Sequence, residues 1–340
     1  MIAPMITRRH LGLTGAAAFG LAACTQKPSA GTPGELTFSI LPTAPAASLL
    51  KNWQPVLDDM AKATGLKIKP FIPSNYTVLI EAMKFKQTDA GWFSNESGLE
   101  AVRRANGEVF ARTLGPGGVN GYQSVLIVNA KSDITLDRLK KCDKTLNFGQ
   151  ADVISTSGYV APIAYFFGPN DLQPEKCFAT VRTSNHNANL LAVANGTLDV
   201  ATGNSASLML NRQAGRPEAD KVKVIWTSPT LPEDPIIWRR DLDPAVKEKL
   251  RQFFITYARG DTPDAVRQRA NLKPLSIGGF EAADNSHLLI VRDVEAREKW
   301  ALARWSGDAA KTAAAKKDMD DLDAQVQAFE GRTGASAGAQ

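Results

Sequence analysis

The run "NFGQADVISTSGYVAP", residues 147–162, decides how the chain is read. A β-type segment ends at Gly149-Gln150-Ala151-Asp152, three hydroxyl residues follow at Ser155, Thr156 and Ser157, and after Gly158 the pattern turns helical. The first turn of a helix has backbone N–H groups without intrahelical partners and the positive end of the helix dipole, and together these bind oxyanions. Ser and Thr can donate to the same anion, and glycine lets the backbone approach it closely. One hydroxyl would suffice as an N-cap. Three raise the expectation of an anion site.

Around this run the chain alternates short β-type segments with amphipathic helical ones. "ELTFSILPT" (35–43) reads as a strand. "AASLLKNWQPVLDDMAKATG" (46–65) carries Leu49, Leu50, Trp53, Val56, Leu57 and Met60 on a 3.6-residue period and stops at Gly65. Strand and helix signals then alternate through "KIKPFIP", "NYTVLIEAMKFKQ", "DAGWF" and "GLEAVRRAN". A second series begins near Leu136 and includes "FATVRT", "NANLLAVANG" and "LDVATG". The alternation predicts α/β layers with mainly parallel sheets, whose ligands sit where strands lead into helices. Trp92 and Trp238 read as packing residues. "AAAKKDMDDLDAQVQAFE" aligns Met319, Leu322, Val326 and Phe329 on one helical face, for packing on its own body or for a homodimer seam. "GRTGASAGAQ" reads as a disordered tail.

The N-terminus speaks to location. Arg8 and Arg9 precede an uncharged apolar stretch, Leu11–Ala23, too short and too rich in Ala and Gly for a permanent span. This is the layout of an export signal, and "TRRHLGL" resembles a twin-arginine signal. "LAAC" (21–24) resembles a lipobox, in which Cys24 is acylated and becomes the first mature residue. Residues 1–23 are thus read as a signal peptide and 24–35 as a polar tether holding the body at a membrane surface. Cys142 and Cys177 would then lie in an oxidising compartment. Each precedes an apparent strand; parallel neighbouring strands would bring the two together as a disulfide, the alternative being two free buried thiols.

Composition narrows the function. The chain has 340 residues, 44% hydrophobic and 22% charged, with a net charge of +5 that falls to +3 without Arg8 and Arg9. No basic block tracks a phosphate backbone, so nucleic acid is not an expected partner. Three Cys and three His leave little for a multi-ligand metal cluster, and no cofactor is expected. An extracytoplasmic hydrolase is the rival of another class. Against it, there is no G-x-S-x-G elbow, and beyond the signal the histidines are His186 and His287.

Several separated motifs, in order, carry a resemblance: "DAGWFSNESGLEAVRRANGEVFA", "GYQSVLIVNAKSDI", "LNFGQADVISTSGYVAP", "LLAVANGTLDVATGN" and "KVIWTSPTLPEDPIIWRRDL". Together they resemble the periplasmic phosphonate-binding proteins of ABC importers over about residues 36–330. The resemblance implies a two-lobed type II solute-binding protein with a hinge and an interlobe cleft. Residues 36–122 and 230–320 would form lobe 1, 123–229 lobe 2, and 321–340 the end of the C-terminal helix with its tail. It implies capture of a phosphonate for an inner-membrane ABC permease, with 2-aminoethylphosphonate or a broader alkylphosphonate range as cargo; phosphate, phosphite or another small oxyanion is the alternative.

Residue by residue, Ser155, Thr156 and Ser157 match the hydroxyl cluster around the phosphonate oxygens. Tyr76 and His186 match two further headgroup contacts, and Tyr122 and Asp234 match residues around the organic end. Ala206 stands where the family pattern has a glutamate. Glu233, beside Asp234 in an extended segment, is expected to point away from the ligand.

Overall fold

The computed structural model describes residues 34–337 of the chain, and side chains as far as residue 329. The export signal, Cys24 and the start of the tether lie outside the described residues. Eleven strands form two sheets. The first has the order β11-β4-β10-β3-β1-β2 and the second β7-β6-β8-β5-β9. β1–β4 are Glu35–Ser39, Lys67–Phe71, Ala90–Trp92 and Gly107–Leu114. β5–β9 are Ser124–Asn129, Asn147–Gln150, Thr180–Thr183, Val200–Asn204 and Val222–Thr227. β10 (Pro235–Arg239) and β11 (Gly279–Ala282) return to the first sheet. Each sheet anchors one lobe.

The sheets are mixed rather than mainly parallel. β1–β2, β1–β3, β6–β7 and β6–β8 are parallel, as βαβ units require. β10 inserts antiparallel between β3 and β4, β11 pairs antiparallel with β4, and β5 pairs antiparallel with β8 and β9. Two of the antiparallel strands, β5 and β10, directly follow the crossings between lobes, where the chain leaves one sheet and enters the other. Helical periodicity on either side of such a strand looks the same in sequence.

The helices bury the faces that their periodicity marks. Ala46–Thr64 packs Leu49, Trp53, Val56, Leu57 and Met60 inward and ends at Gly65, whose φ of 68° is the left-handed conformation glycine adopts freely. Phe38, Trp53, Phe110, Trp238 and Phe254 form the aromatic centre of the first lobe, with Trp238 stacked on Phe110 at 4.0 Å. Phe148, Phe166, Phe167 and Phe178 do the same for the second lobe. Cys142 and Cys177 are joined by a disulfide at the edge of that second core. Closing a loop across 35 positions stabilises by about 3–4 kcal/mol in the chain-entropy account.

The Leu289–Ser306 helix straddles the lobes. Val291 packs with Leu79 and Leu99 of the first, while Ala301 and Trp305 pack on the core of the second. Ala309–Ala337 then folds back along it and buries Met319, so the helix packs on its own body. It runs into the segment expected to be a disordered tail, because once a helix is nucleated each added residue brings its own backbone hydrogen bond.

Two segments, 115–123 and 228–234, carry the chain between sheets. They meet in an antiparallel bridge in which Tyr122 N–H donates to Leu231 O at 3.0 Å and Leu231 N–H to Tyr122 O at 2.7 Å. Gly121 beside it has φ 144°, and a Cβ there would lie 2.6 Å from Leu231 O and 2.4 Å from Thr230 Cγ2. Gly121→Ala is expected to destabilise the protein by about 2 kcal/mol or more. A urea unfolding midpoint equal to that of the native chain would show that the bridge tolerates a side chain.

Candidate functional site

Between the lobes lies a cleft of about 280 Å³. Of the residues proposed from sequence, Tyr76, Tyr122, Ser155, Ser157, His186 and Asp234 all line it, and so does Ala206. Thr156 does not.

Ser155 caps the segment that follows β6: its Oγ accepts from Gly158 N–H at 3.2 Å. From Thr156 to Phe167 the helix is wound largely with i→i+5 bonds, the wide π geometry found often at functional sites. Ser157 Oγ is 3.4 Å and Ser155 Oγ 3.5 Å from His186 Nε2, so both hydroxyls and the imidazole converge. Ser124 Oγ–H donates to Ser157 O at 2.6 Å and Thr202 Oγ1–H to Gly158 O at 2.8 Å, pinning the turn to β5 and β8. Gly158 is needed for this closeness: a Cβ would sit 2.1 Å from that of Ala151 and 3.1 Å from His186 Cε1.

Thr156 Oγ1 accepts from Glu96 N–H at 2.8 Å, in the first turn of the first-lobe helix Asn95–Arg104. Nearby, Ser94 Oγ–H donates to Ile154 O at 3.4 Å. Thr156 is therefore a contact between lobes. Glu96 itself is buried with one carboxyl oxygen unpartnered, and burial, then Glu295 and Glu298, push its pKa up to about 8. Glu96, Glu100 and Glu295 are close enough to suggest a cation, but Arg103 already ion-pairs with Glu295 at 2.6 Å and with Glu100 at 3.2 Å.

His186 is the first residue of the helix His186–Ala194, capped by Asn185. Burial alone lowers its pKa to about 4, so the imidazole is neutral at pH 7, and its Nδ1 is buried without a partner. Tyr76 starts the helix Tyr76–Lys84 under an Asn75 cap. Burial raises its pKa far above the usual phenol range, with Ser155 acting the other way, so Tyr76 is a neutral donor facing the second lobe's hydroxyls.

The other end of the cleft is acidic. Tyr122 O–H donates to Asp234 Oδ1 at 3.3 Å and Asn95 Nδ2–H to the same oxygen at 3.4 Å. Burial, then the adjacent Glu233, hold the Asp234 carboxyl well above its ordinary pKa, and the groups acting on it include no cation. Glu233, expected to point away, also lines the cleft, and its Oε2 accepts from Thr113 Oγ1 at 3.1 Å. The alternation of a strand does not apply, because 232–234 is irregular hinge backbone. Trp92, read as packing, is half-buried on the cleft wall; its indole N–H acts on Asp234 yet forms no hydrogen bond. Its place at the carboxyl end of a strand was the signal that could have found it.

The chain as a whole has counterparts among known proteins. The family model for the periplasmic substrate-binding protein of phosphonate ABC transporters matches residues 38–288. The chain belongs to that family. It is 38% identical over 295 residues to the phosphonates-binding periplasmic protein of Escherichia coli K12, covering 85% of this chain and 86% of that one. A phosphate-import protein of Mycolicibacterium smegmatis is 25% identical over 268 residues, 75% of this chain and 78% of its own. The crystal structure of a binding-protein component of a phosphonate ABC transporter from Pseudomonas aeruginosa superposes with a TM-score of 0.81 at 35% identity, covering 87% of this chain and 98% of that one. The protein is thus a substrate-binding component of a phosphonate ABC transporter with the two-lobed type II fold. Its relatives are transport proteins of the periplasm, and no helix among the described residues is long and apolar enough to cross a membrane.

In such a phosphonate-binding protein the empty cleft should hold His186 neutral until about pH 4, and a bound oxyanion should raise that value by favouring the imidazolium. NMR titration of His186 in a His287→Gln background, with and without inorganic phosphate or a phosphonate, measures both. A value near 6.5 in the empty protein would contradict the burial.

Proposed function

We propose that the protein captures aminoalkylphosphonates, 2-aminoethylphosphonate foremost among them, and delivers them to an inner-membrane ABC permease. The observation that carries this reading is one cleft with a neutral donor set at one end and an acidic pair at the other. Ser155, Ser157, His186 and Tyr76 would bind the phosphonate oxygens. Tyr122 and Asp234 would receive the ammonium, which supplies the positive charge the buried Asp234 lacks. Hydroxyls and an imidazole hold an anion without a covalent step, so the cargo leaves unchanged. Thr156 would act through lobe closure, since its hydroxyl meets Glu96 rather than the cleft.

The mycobacterial relative named for phosphate import favours a second reading, a receptor for the bare oxyanion. A calorimetric panel of phosphate, phosphite, methylphosphonate, ethylphosphonate and 2-aminoethylphosphonate separates the two. The amine should add at least about tenfold in affinity over ethylphosphonate; equal affinities across the panel would favour the bare oxyanion. A hydrogen bond to a charged group is worth about 1.5–3 kcal/mol, so Ser157→Ala should weaken every phosphonate by about ten- to a hundred-fold. A loss that tracks the organic group instead would reverse the pose.

The same reading includes export and anchoring. An acylated Cys24 and the polar tether would keep the body at the periplasmic face of the membrane, after export by the twin-arginine route or the general one. Cys24→Ser should move the protein from the membrane to the soluble fraction on cell fractionation, and unchanged retention would argue against the lipid.

A further inference from the structure

Four polar side-chain atoms on residues lining the cleft are buried without a hydrogen-bond partner: His186 Nδ1, Trp92 Nε1, Trp53 Nε1 and Ser276 Oγ. The first two belong to the ends already described. Trp53 and Ser276 do not. Trp53 is fully buried on the Ala46–Thr64 helix, with its ring 5.6 Å from that of Trp92. Ser276 is 9% exposed and follows the short turn Lys273–Leu275. The turn is held to the Trp53 helix by Asn52 Nδ2–H, which donates to Pro274 O at 3.2 Å. A buried donor left without an acceptor is destabilising, and two of them on one cleft wall call for an occupant.

Space is available for one. Across from these first-lobe donors runs the second-lobe helix Ser205–Gln213, where Ala206 and Ser207 line the cleft with short side chains. The cleft volume of 280 Å³ is room for about nine waters at about 30 Å³ each, more than a two-carbon phosphonate fills. The donors are neutral, an N–H and an O–H, and they share the cleft with the acidic pair. A ligand that satisfies both must present an oxygen acceptor close to its ammonium.

We propose that Trp53 and Ser276 form a third subsite that takes a carboxylate, so that the cargo best matched to this cleft is a phosphonate whose organic end is an α-amino acid. Its ammonium meets Asp234 and its carboxylate meets the indole N–H and the Ser276 hydroxyl. The assignment rests on the phosphonate reading above and adds the organic end.

The test compares 2-aminoethylphosphonate with 2-amino-3-phosphonopropionate, which differ by the carboxylate alone, by calorimetry on the native protein and on Ser276→Ala, Ser276→Gly and Trp53→Phe. The native protein should prefer the amino acid by about tenfold or more, and each variant should lose about tenfold of that preference while 2-aminoethylphosphonate binding stays within about twofold. Ser276→Gly guards against misfolding, because the backbone there has φ 57°, a conformation glycine adopts without strain. Equal affinities in the native protein, or a preference that survives all three variants, would mean that the two donors are met by water and would overturn the subsite. Binding of 2-aminoethylphosphonate alone overturns only this subsite. Binding of neither compound overturns the phosphonate reading and the subsite with it.

Discussion

The reciprocal backbone hydrogen bonds between Tyr122 and Leu231 are the constraint on which the cleft depends. They join the two crossing segments where both run side by side, and Gly121 is required for their approach. Tyr122 and Asp234 lie on these segments, so the acidic end of the cleft stands at the hinge itself. The proposed headgroup residues instead come from the lobes: Tyr76 from the first, Ser155, Ser157 and His186 from the second. A hinge motion of the type II fold would therefore leave the acidic end nearly fixed and change the distance between Tyr76 and the second-lobe donors.

Electrostatics explains what a ligand would bring to the cleft. Among the described residues, Arg216 is the one Lys or Arg on the cleft wall, and it is exposed at the mouth. Burial keeps Tyr76 and Tyr122 protonated and His186 neutral, while Asp234 is held towards its protonated form. The cleft thus holds no buried cation for an anion among the described residues, and the negative charge of Asp234 is disfavoured by its burial. An anion with a tethered cation changes that at both ends together, stabilising the imidazolium at one and the carboxylate at the other. Neutral donors also allow release, because no buried lysine or arginine is stranded when the cargo departs.

Much of this was legible in the sequence where a single local rule decides the outcome. Gly65 ends a helix, and Ser155 to Gly158 stands at a strand-to-helix handover, because each depends on backbone geometry within a few residues. The antiparallel insertion of β10 was not legible, since strand direction is set by the long excursion through the other lobe. Nor was the inward turn of Glu233, which follows from irregular hinge backbone and from Thr113, a residue 120 positions away. Trp92 was read only in part: it does pack on the first-lobe core, and the cleft wall that its other edge lines is built from residues distant in sequence.

The three adjacent hydroxyls show how far local reasoning reaches. The wide π winding after Ser155 sends consecutive side chains to different partners. Ser155 bonds Gly158 N–H and holds the turn, Ser157 faces His186 in the cleft, and Thr156, between them, meets the backbone of Glu96 across the lobes. One residue caps, one faces the cleft, and one contacts the other lobe. That division gives a physical reason for three hydroxyls where a cap alone needs one. It also places the cleft and the contact between lobes on one helix start: an anion held at Ser157 would act on the turn that carries Thr156, so the side chain between the two serines is the connection through which headgroup binding would reach the other lobe.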